Sequence, residues 1–485
     1  IVCYAFEFGL NWSSISSMEK IYLAGEFIAT SQQIVVTDPY SGKSVASVSL
    51  ASPSDLDMAI AKANAVRSQM QDLPVFERAG ILRKIAETFT KRREELAKLL
   101  ISESAKPWRY AIAEVDRAAE TFLIASEECK RFPGEVMSLD WTTSGKNRKG
   151  IVDYFPIGVI AGITPFNFPF NLVAHKVAPA IAAGCPIILK PASSTPLCAL
   201  ELARIIHDTT LPKGAFSVLP CDRNTGNALV TSNDIQVLSF TGSPAVGWKM
   251  KDTAGKKKTV LELGGNAGVF IAADADIDLA VERCLVGAYA YSGQICIHTQ
   301  RIFLEDKVFE EFVEKFMPRV EMLKTGDPLQ RDTELSSMID EENAIRVDLW
   351  VKEAIDAGAK MLCGGNRNGN FYEATILTGT DASMKVHAEE IFGPVVCVEK
   401  VNNKEEGIRQ LNNSRFGLQA GIFTNDHALI QKAFKKLAVG GVLVNEVPTV
   451  RFDHMPYGGV KDSGQGREGV KYAMLDFLEP KILVL

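Results

Sequence analysis

The chain has 485 residues, which is too long for one ordinary hydrophobic core and predicts two or three domains. Apolar residues make up 46% and charged residues 23%, and the net charge is −6 at pH 7. This balance is typical of a globular protein, and no basic face predicts a nucleic-acid partner. Apolar runs fall short of the roughly 18 to 20 residues that cross a bilayer, so we expect no membrane segment.

The cysteines and histidines predict a compartment and exclude one kind of site. The nine cysteines are scattered and never form a C-x-x-C pair, which predicts reduced thiols and a cytoplasmic location. The six histidines lack the spacing of zinc ligands, so we expect no metal site. Residues 1–17 lack the pattern of a secretory signal and precede Met18, and we expect them to be a disordered extension.

The first predicted elements are helices followed by a hairpin. Residues 55–71 and 77–105 read as long amphipathic helices that could cover a sheet. Residues 131–156 alternate apolar and polar side chains around turn-forming residues, which predicts a protruding β-hairpin.

Between residues 157 and 265, short apolar strands alternate with helical patterns. Helices are predicted over 170–184 and 198–209. The strands are predicted over 157–165, 186–192, 215–221, 235–242 and 259–265. Strand and helix alternating at this spacing predict an α/β fold with a doubly wound parallel sheet.

A second alternation begins near residue 268 and predicts a second α/β domain. Helices are predicted over 276–292, 307–323 and 341–358. The strands are predicted over 268–272 and 301–305 and near residues 375, 395, 420 and 442. The apolar tail 481–485 would be an unpaired strand unless it joins another sheet or subunit.

Two side chains raise a question that their own neighbours leave open. Cys296 in "YSGQICI" is either a packed apolar side chain or a reactive nucleophile at the start of a loop. Glu262 in "LELGG" lies between leucines at a strand end, where burial is costly unless the carboxylate has a partner or a role. A solvated or ion-paired Glu262 is the alternative.

Two further motifs follow predicted strands. Asn167 in "TPFNFP" lies at the carboxyl end of a strand, where ligands bind in open parallel sheets, and its amide could stabilise an oxyanion. A turn asparagine is the alternative. Ser243 opens a helix in "SFTGSPAVG", a position suited to a pyrophosphate, although the chain has no G-x-G-x-x-G fingerprint.

Taken together, the motifs of this chain resemble those of the NAD(P)-dependent aldehyde dehydrogenase superfamily in order and approximate spacing, from about residue 20 to 485. They are "TPFNFP", "IILKPAS", "SFTGS", "LELGGN", "GQIC", "EEIFGPV" and "MPYGGVKDSGQGREG". The resemblance is nearest to the lactaldehyde, non-phosphorylating glyceraldehyde-3-phosphate and phosphonoacetaldehyde dehydrogenase branches.

The resemblance implies two doubly wound, Rossmann-like α/β domains and a small β oligomerisation element, assembled as a homodimer or homotetramer. Residues 18–130 and 157–264 would form the dinucleotide-binding domain, and residues 265–446 the catalytic domain. The oligomerisation element would comprise residues 131–156 and 470–485. Arg467 and Glu479 would form a pair that joins it to the catalytic domain.

The resemblance also implies roles for individual residues. Cys296 would attack the aldehyde, Asn167 would hold the oxyanion of the thiohemiacetal, and Glu262 would activate the water that hydrolyses the thioester to the acid. Lys176 and Glu468 would form a proton relay. NAD or NADP would be bound by Lys190, Ser193, Phe166, Thr241, Ser243, Glu390 and Phe392.

Departures from the family pattern bear on cofactor and substrate. Ser193 stands where NAD-preferring members often have a glutamate, which leaves NAD and NADP open. His175 stands where many members have a bulky aromatic residue, so we expect a more polar tunnel. Arg301, Arg451 and His454 would then favour a short polar or anionic aldehyde, unless the arginines are structural ion-pair partners.

Two rival functions remain at this level. A CoA-acylating aldehyde dehydrogenase would pass the acyl group to a thiol, although Glu262 as a general base favours hydrolysis. A non-catalytic binding protein could keep the same fold, because a fold alone does not establish activity.

Overall fold

The computed structural model describes residues 18–132 and 134–485, so the predicted extension 1–17 lies outside the described residues. The strands are β1 Met18–Glu19, β2 Ile21–Leu23, β3 Glu26–Ile28, β4 Gln33–Thr37, β5 Ser44–Ser49, β6 Glu135–Ser138, β7 Lys149–Pro156, β8 Ile160–Ile163, β9 Ile187–Lys190, β10 Phe216–Val218, β11 Val237–Thr241, β12 Lys258–Glu262, β13 Gly268–Ile271, β14 Arg301–Glu305, β15 Lys360–Cys363, β16 Arg367–Asn368, β17 Phe371–Tyr372, β18 Thr375–Thr378, β19 Val395–Val401, β20 Gln419–Phe423, β21 Gly441–Val444, β22 Gly464–Gln465 and β23 Leu478–Val484.

The helices cover the sheets and range from one turn to more than five. They are α1 Pro53–Ala65, α2 Arg67–Asp72, α3 Val75–Lys91, α4 Arg93–Ser104, α5 Trp108–Glu128, α6 Asn171–Ala183, α7 Leu197–His207, α8 Arg223–Thr231, α9 Pro244–Thr253, α10 Ile277–Tyr289, α11 Asp306–Glu321, α12 Glu341–Asp356, α13 Lys385–Ala388, α14 Lys404–Asn412, α15 His427–Lys436 and α16 Val470–Asp476.

The first large sheet has the strand order β22-β12-β11-β8-β9-β10-β2-β3, and its five strands from β12 to β10 run parallel. Hydrophobic clusters cover both of its faces, and helix α6 is buried along its whole length. Strands covered on both sides read as continuous apolar runs, which is why the sequence shows them clearly. The predicted doubly wound sheet is confirmed.

The second large sheet has the order β15-β18-β19-β14-β13-β20-β21 and is parallel except for β15. It confirms the predicted second α/β unit. In the first sheet the motif residues lie at the carboxyl ends of strands, whereas in the second sheet Cys296 precedes β14 and "EEIFGPV" leads into β19. In the first sheet, "TPFNFP" follows β8, Thr241 ends β11 and Glu262 ends β12.

A third sheet joins the predicted hairpin to the end of the chain. Strand β23 pairs antiparallel with β7 over seven residues, from Leu478 opposite Pro156 to Val484 opposite Gly150, and β6 lies on the other side of β7. The tail therefore joins a sheet of its own chain. The expected pair of Arg467 with Glu479 is not formed within the described residues, because the Arg467 guanidinium donates to backbone carbonyls and Glu479 is exposed.

Three expectations about helices need correction or addition. The predicted helix 77–105 is divided into α3 and α4 at Arg92, and the predicted helix 55–71 into α1 and α2 at Val66. Helix α5, with 21 residues, was not predicted, although it packs closely on α3 and α6. Within the described part of the chain, no helix is long and apolar enough to cross a membrane.

Candidate active site

The loop before Cys296 has an unusual backbone. Helix α10 ends at Tyr289, and Tyr291, Ser292 and Gly293 then adopt positive φ values of 49°, 54° and 69°. Tyr291 and Ser292 are anchored by hydroxyl groups that donate to the carbonyls of Ser104 and Ser336 at 3.1 and 2.7 Å. Such strained conformations persist only where surrounding contacts hold them, and they cluster at functional sites.

The loop leaves one side chain accessible. Cys296 is the only partly exposed residue between positions 291 and 300. Its Sγ lies 3.2 Å from the Tyr457 hydroxyl. Burial raises the pKa of the Cys296 thiol to about 12, and the hydrogen bond with Tyr457 opposes this rise. Burial also raises the pKa of Tyr457 well above its usual value, so the Tyr457 hydroxyl keeps its proton and can donate a hydrogen bond to a thiolate.

Asn167 faces the same loop. Its Nδ2 donates to the Gln294 carbonyl at 2.9 Å, and its buried Oδ1 has no hydrogen-bond partner in the part of the chain that the structure describes. An amide group has two protons, and the bond to Gln294 uses only one of them. The structure therefore brings Asn167 next to the segment that carries Cys296, with donor capacity left over.

Glu262 approaches from the end of β12 and is 3% exposed. Both of its carboxylate oxygens lack hydrogen-bond partners within the described residues. Burial, and then the negative charge of Glu468, raise the pKa of Glu262 well above its usual range. The Gly458 backbone lies close to this carboxylate, because a Cβ there would be 2.6 Å from Glu262 Oε1, and the Gly265 backbone lies close to Cys296, because a Cβ there would be 2.7 Å from the Cys296 carbonyl oxygen.

A buried ion network lies behind Glu262. Glu468 accepts hydrogen bonds from Lys176 Nζ at 3.2 Å and from Arg451 Nη2 at 3.1 Å, and Lys176 also donates to Ser239 Oγ at 3.0 Å. Although burial opposes ionisation, the charges of Lys176 and Arg451 lower the pKa of Glu468 to about 2. The Arg451 guanidinium lies 3.9 Å from the centre of the Tyr457 ring. One aromatic ring therefore separates Arg451 from the nucleophile.

A second carboxylate, Asp453, organises the other side of this network. It accepts two hydrogen bonds from Arg117, at 2.6 and 3.1 Å, and lies 2.8 Å from His175 Nε2. Burial raises the pKa of Asp453, but hydrogen bonds from His175 and Arg117 hold it well below its usual value. Burial, and then the charge of Arg451, lower the pKa of His175, so this histidine is neutral. Arg117 and Asp453 were not found from the sequence.

A cleft of about 320 Å³ lies at the amino end of α9. It is lined by Ser243, Pro244, Ala245, Trp248, Glu389, Glu390, Arg415 and Phe416. Glu390 Oε1 accepts a hydrogen bond from the Gly265 amide at 2.9 Å, and burial raises the pKa of Glu390 to about 7. A Cβ at Gly264 would overlap this carboxylate, so glycine is needed for the close approach.

The residues around this cleft fit a dinucleotide. The hydroxyl of Thr241 is buried and has no hydrogen-bond partner among residues 18–132 and 134–485, and Ser243 precedes a helix whose first amides can bind phosphate. The rings of Phe166 and Phe392 meet edge to face, with centroids 5.8 Å apart. Phe392 has φ of 44°, a strained value that a surrounding structure must maintain.

Lys190 and Ser193 lie at the end of β9. The Lys190 side chain packs against α8, where a Cβ at Gly226 would lie 2.7 Å from Lys190 Cε. Ser193 is exposed.

The structure contradicts the expectation that Arg301 binds substrate. Arg301 is 2% exposed, and its guanidinium donates to the backbone carbonyls of Asn266, Gln410, Leu411 and Asn413. Five residues after the nucleophile the chain has already entered β14, so this side chain fastens loops of the second sheet. His454 is exposed beside Phe452, outside the buried network. Within the described residues no cluster of His, Cys, Asp or Glu could hold a metal ion.

Two doubly wound sheets, a cleft at the amino end of a helix and an accessible cysteine near an amide and a carboxyl group are the parts of a nucleotide-dependent oxidoreductase that uses covalent catalysis. Residues 27–483 match the family model of the aldehyde dehydrogenase family. The chain belongs to this family and is an NAD(P)-dependent aldehyde dehydrogenase, which oxidises an aldehyde to the acid.

Relatives of the chain are similar over nearly its whole length. It is 41% identical over 467 residues to the 3-sulfolactaldehyde dehydrogenase of Priestia aryabhattai, covering 96% of this chain and 97% of that protein. The crystal structure of aldehyde dehydrogenase 21 from Physcomitrella patens, in complex with the reaction product succinate, is 44% identical with a TM-score of 0.96 and covers 97% and 99% of the two chains. That of glyceraldehyde-3-phosphate dehydrogenase GapN from Methanocaldococcus jannaschii, complexed with NADP, is 36% identical with a TM-score of 0.90 and covers 94% and 100%. These relatives confirm the predicted family and branches.

Proposed function

We propose that the substrate is a short aldehyde whose far end carries a carboxylate, sulfonate or similar anion. The observation that carries this proposal is an excess of positive charge one ring away from Cys296. Three cations, Arg117, Lys176 and Arg451, face only two ionised carboxylates, Asp453 and Glu468. Burial lowers the pKa of His175 and raises that of Glu262, which disfavours a further charge on either group.

Arg117 is the better placed of the two arginines to meet a substrate from solution. Its side chain is 28% exposed, whereas Arg451 is 4% exposed and lies deeper. The Nε and Nη2 groups of Arg117 donate to Asp453, and Nη1 donates no hydrogen bond within the described residues, so Nη1 can bind a substrate carboxylate or sulfonate. Two relatives support this reading, since one is named for a sulfonated aldehyde and another holds the dicarboxylate succinate.

In the proposed reaction, the Cys296 thiolate attacks the aldehyde carbon, and the carbonyl oxygen becomes an oxyanion. The free proton of Asn167 Nδ2 and the backbone N–H of Cys296 hold this charge. The Tyr457 hydroxyl stabilises the thiolate before attack, because the cysteine is otherwise disfavoured as an anion by burial.

Bound NAD(P)⁺ would supply the hydride acceptor, held by Lys190, Thr241, Ser243 and Glu390 beside Phe166 and Phe392. Loss of the hydride leaves a thioester on Cys296. Glu262, once deprotonated, removes a proton from a water molecule that attacks the thioester carbon, and the C–S bond breaks. The products are the carboxylic acid, the reduced cofactor and one proton.

Hydrolysis is favoured over transfer to CoA by the position of Glu262. Within the described residues, Glu262 makes no hydrogen bond that would explain why it is buried. A buried carboxyl group without such a partner is a candidate for proton transfer. Turnover should therefore need no CoA, and adding CoA should not raise the rate.

The substrate proposal is tested with chemically matched aldehydes. We expect succinic semialdehyde and 3-sulfolactaldehyde to exceed butanal and lactaldehyde in kcat/KM by at least about tenfold, the value of one charge-assisted hydrogen bond. Arg117→Met should lower kcat/KM for the anionic substrates about 10- to 100-fold and leave butanal nearly unchanged. Arg93→Met is the matched control. Arg93, at the start of α4, forms an exposed ion pair with Asp116, the residue before Arg117 in α5. Equal kcat/KM for butanal and succinic semialdehyde would refute the proposal.

We also propose that the chain forms a homo-oligomer and is located in the cytoplasm. Strand β23 forms an edge of its sheet, and Ile482, Leu483 and Val484 expose about half of their surface there. An exposed apolar edge strand favours pairing with another subunit, which supports a homodimer or homotetramer. The eight cysteines of the described residues are free thiols, which supports a reducing compartment such as the cytoplasm.

A further inference from the structure

A buried ion pair lies directly behind the segment that carries Asn167. Lys106, which follows α4, and Glu114, in α5, are 0% and 1% exposed, and Lys106 Nζ contacts a Glu114 oxygen. Burying two charges is unfavourable, and an apolar pair of similar volume is often at least as stable. Stability alone therefore gives a poor account of this pair.

Both charged groups direct their remaining hydrogen bonds to the same short segment, residues 164–171. Lys106 Nζ donates to the Asn167 carbonyl oxygen at 2.6 Å. Glu114 Oε1 accepts from the amides of Phe170 and Asn171 at 2.9 and 3.2 Å. Helix α6 has no side-chain cap at its own first residues, so Glu114 of α5 caps it. The backbone is thus held at Asn167 and just after it.

Lys106 also contacts the loop that carries the nucleophile. Its ammonium lies 3.7 Å from the centre of the Phe168 ring and 4.3 Å from that of Tyr291, in the positive-φ turn before Cys296. Contacts of a cation with two aromatic faces are favourable when the cation is desolvated. One side chain therefore joins the segment 164–171 to the Cys296 loop.

We propose that Lys106 and Glu114 are positioning residues that set where the Asn167 amide lies relative to Cys296 Sγ. Neither residue touches the reacting atoms, and both act through Asn167. The inference rests on the proposed function, in which Asn167 holds the oxyanion. A displacement of about 1 Å in such a donor can lower a rate by about a hundredfold.

Glu103 provides a matched control for this inference. It is another fully buried carboxylate in the same region, and it caps α7 by accepting from the amides of Leu197 and Cys198 at 2.7 and 2.9 Å. It makes no hydrogen bond to residues 164–171 within the described chain. Glu103→Gln replaces a buried capping carboxylate by an amide, as Glu114→Gln does. The difference is that Glu103 caps α7, whereas Glu114 caps α6, the helix that follows Asn167.

The test is a double-mutant cycle with Asn167→Ala. The paired variant Lys106→Met/Glu114→Gln removes both charges together, so no buried charge is left alone, and glutamine keeps an acceptor for the amides. We expect it to lower kcat/KM about 10- to 100-fold, with the Kd for NADP unchanged within about twofold. In the Asn167→Ala background the same pair should lower kcat/KM by less than about threefold, because the residue through which it acts is gone. Glu103→Gln should change kcat/KM by less than about threefold.

The outcomes separate this inference from the proposed function. Additive losses in the cycle, or an equal loss in Glu103→Gln, would overturn the positioning role. An Asn167→Ala enzyme with unchanged kcat/KM would instead overturn the proposed role of Asn167. If the paired variant does not fold, Glu114→Gln alone enters the same cycle. Hydrogen exchange of the peptide spanning 164–171 should speed up in Glu114→Gln but not in Glu103→Gln, and unchanged exchange would also overturn the inference.

Discussion

Removing the Tyr457 hydroxyl should make Cys296 a much weaker nucleophile. Tyr457→Phe keeps the ring on which Arg451 lies and deletes the oxygen 3.2 Å from Cys296 Sγ. A hydrogen bond to a charged group contributes about 1.5 to 3 kcal/mol, and one pKa unit corresponds to about 1.4 kcal/mol. The pKa of Cys296, already raised by burial, should therefore rise further when this hydrogen bond is lost.

The measurement is the pH dependence of alkylation of Cys296 by iodoacetamide, followed on the peptide by mass spectrometry. Below its pKa a thiol reacts in proportion to its thiolate fraction, so the rate should fall about 10- to 100-fold at each pH. Cys363, the other partly exposed cysteine of the described residues, serves as an internal reference.

Tyr289→Phe is the control, because Tyr289 is also buried and its hydroxyl donates to the Thr375 carbonyl at 3.1 Å rather than to the nucleophile. The same rate of Cys296 alkylation in Tyr457→Phe and Tyr289→Phe would refute the idea that the Tyr457 hydroxyl stabilises the thiolate.

Four other outcomes are expected. Glu262→Gln should keep a burst of about one equivalent of NAD(P)H but lower the steady-state rate at least about 100-fold, because the general base for hydrolysis is lost; an unchanged rate would exclude that role. Glu468→Gln should move the rise of kcat with pH to lower pH, since deleting a neighbouring negative charge lowers the raised pKa of Glu262; pH profiles test this. Ser193→Glu should raise KM for NADP at least about tenfold and leave KM for NAD nearly unchanged, because its carboxylate would repel a 2′-phosphate. Arg301→Met should lower the free energy of unfolding by about 3 kcal/mol, because the four backbone carbonyls that accept from Arg301 lose their partner. The ratio of kcat/KM for anionic aldehydes to kcat/KM for neutral aldehydes should not change; a changed ratio would restore Arg301 to the substrate site.

The large elements of the fold could be predicted because each has a clear local period. Strands covered by helices on both faces appear as apolar runs, and helices show a repeat of 3.6 residues. The division of residues 77–105 could not be seen, because the apolar repeat continues across Arg92, where the backbone turns (φ −102°, ψ 21°). Helix bounds are set there by tertiary packing rather than by a local signal.

The sequence could identify a residue of the site only where a reactive side chain also lies at the end of a predicted element or within a recognised motif. Glu262 and Asn167 end or follow strands of the first large sheet, and Cys296 follows helix α10, which marks them in the sequence. The ion pair of Arg117 with Asp453 joins residues 336 positions apart, so no local pattern predicts it. Tyr457 lies within a recognised motif but is an aromatic residue that sequence reasoning assigned no role. Arg301 was misinterpreted because closeness in sequence to the nucleophile was read as closeness in space.

The most informative contrast within the site is between two carboxyl groups that the sequence cannot tell apart. Within the described residues Glu262 has no ion-pair partner and its pKa is raised, while Glu468 contacts Lys176 and Arg451 and has a pKa of about 2. Burial and then the negative charge of Glu468 raise the pKa of Glu262, whereas the cations Lys176 and Arg451 lower that of Glu468 against the effect of burial. The environment of each carboxyl, not its identity, therefore separates the two pKa values.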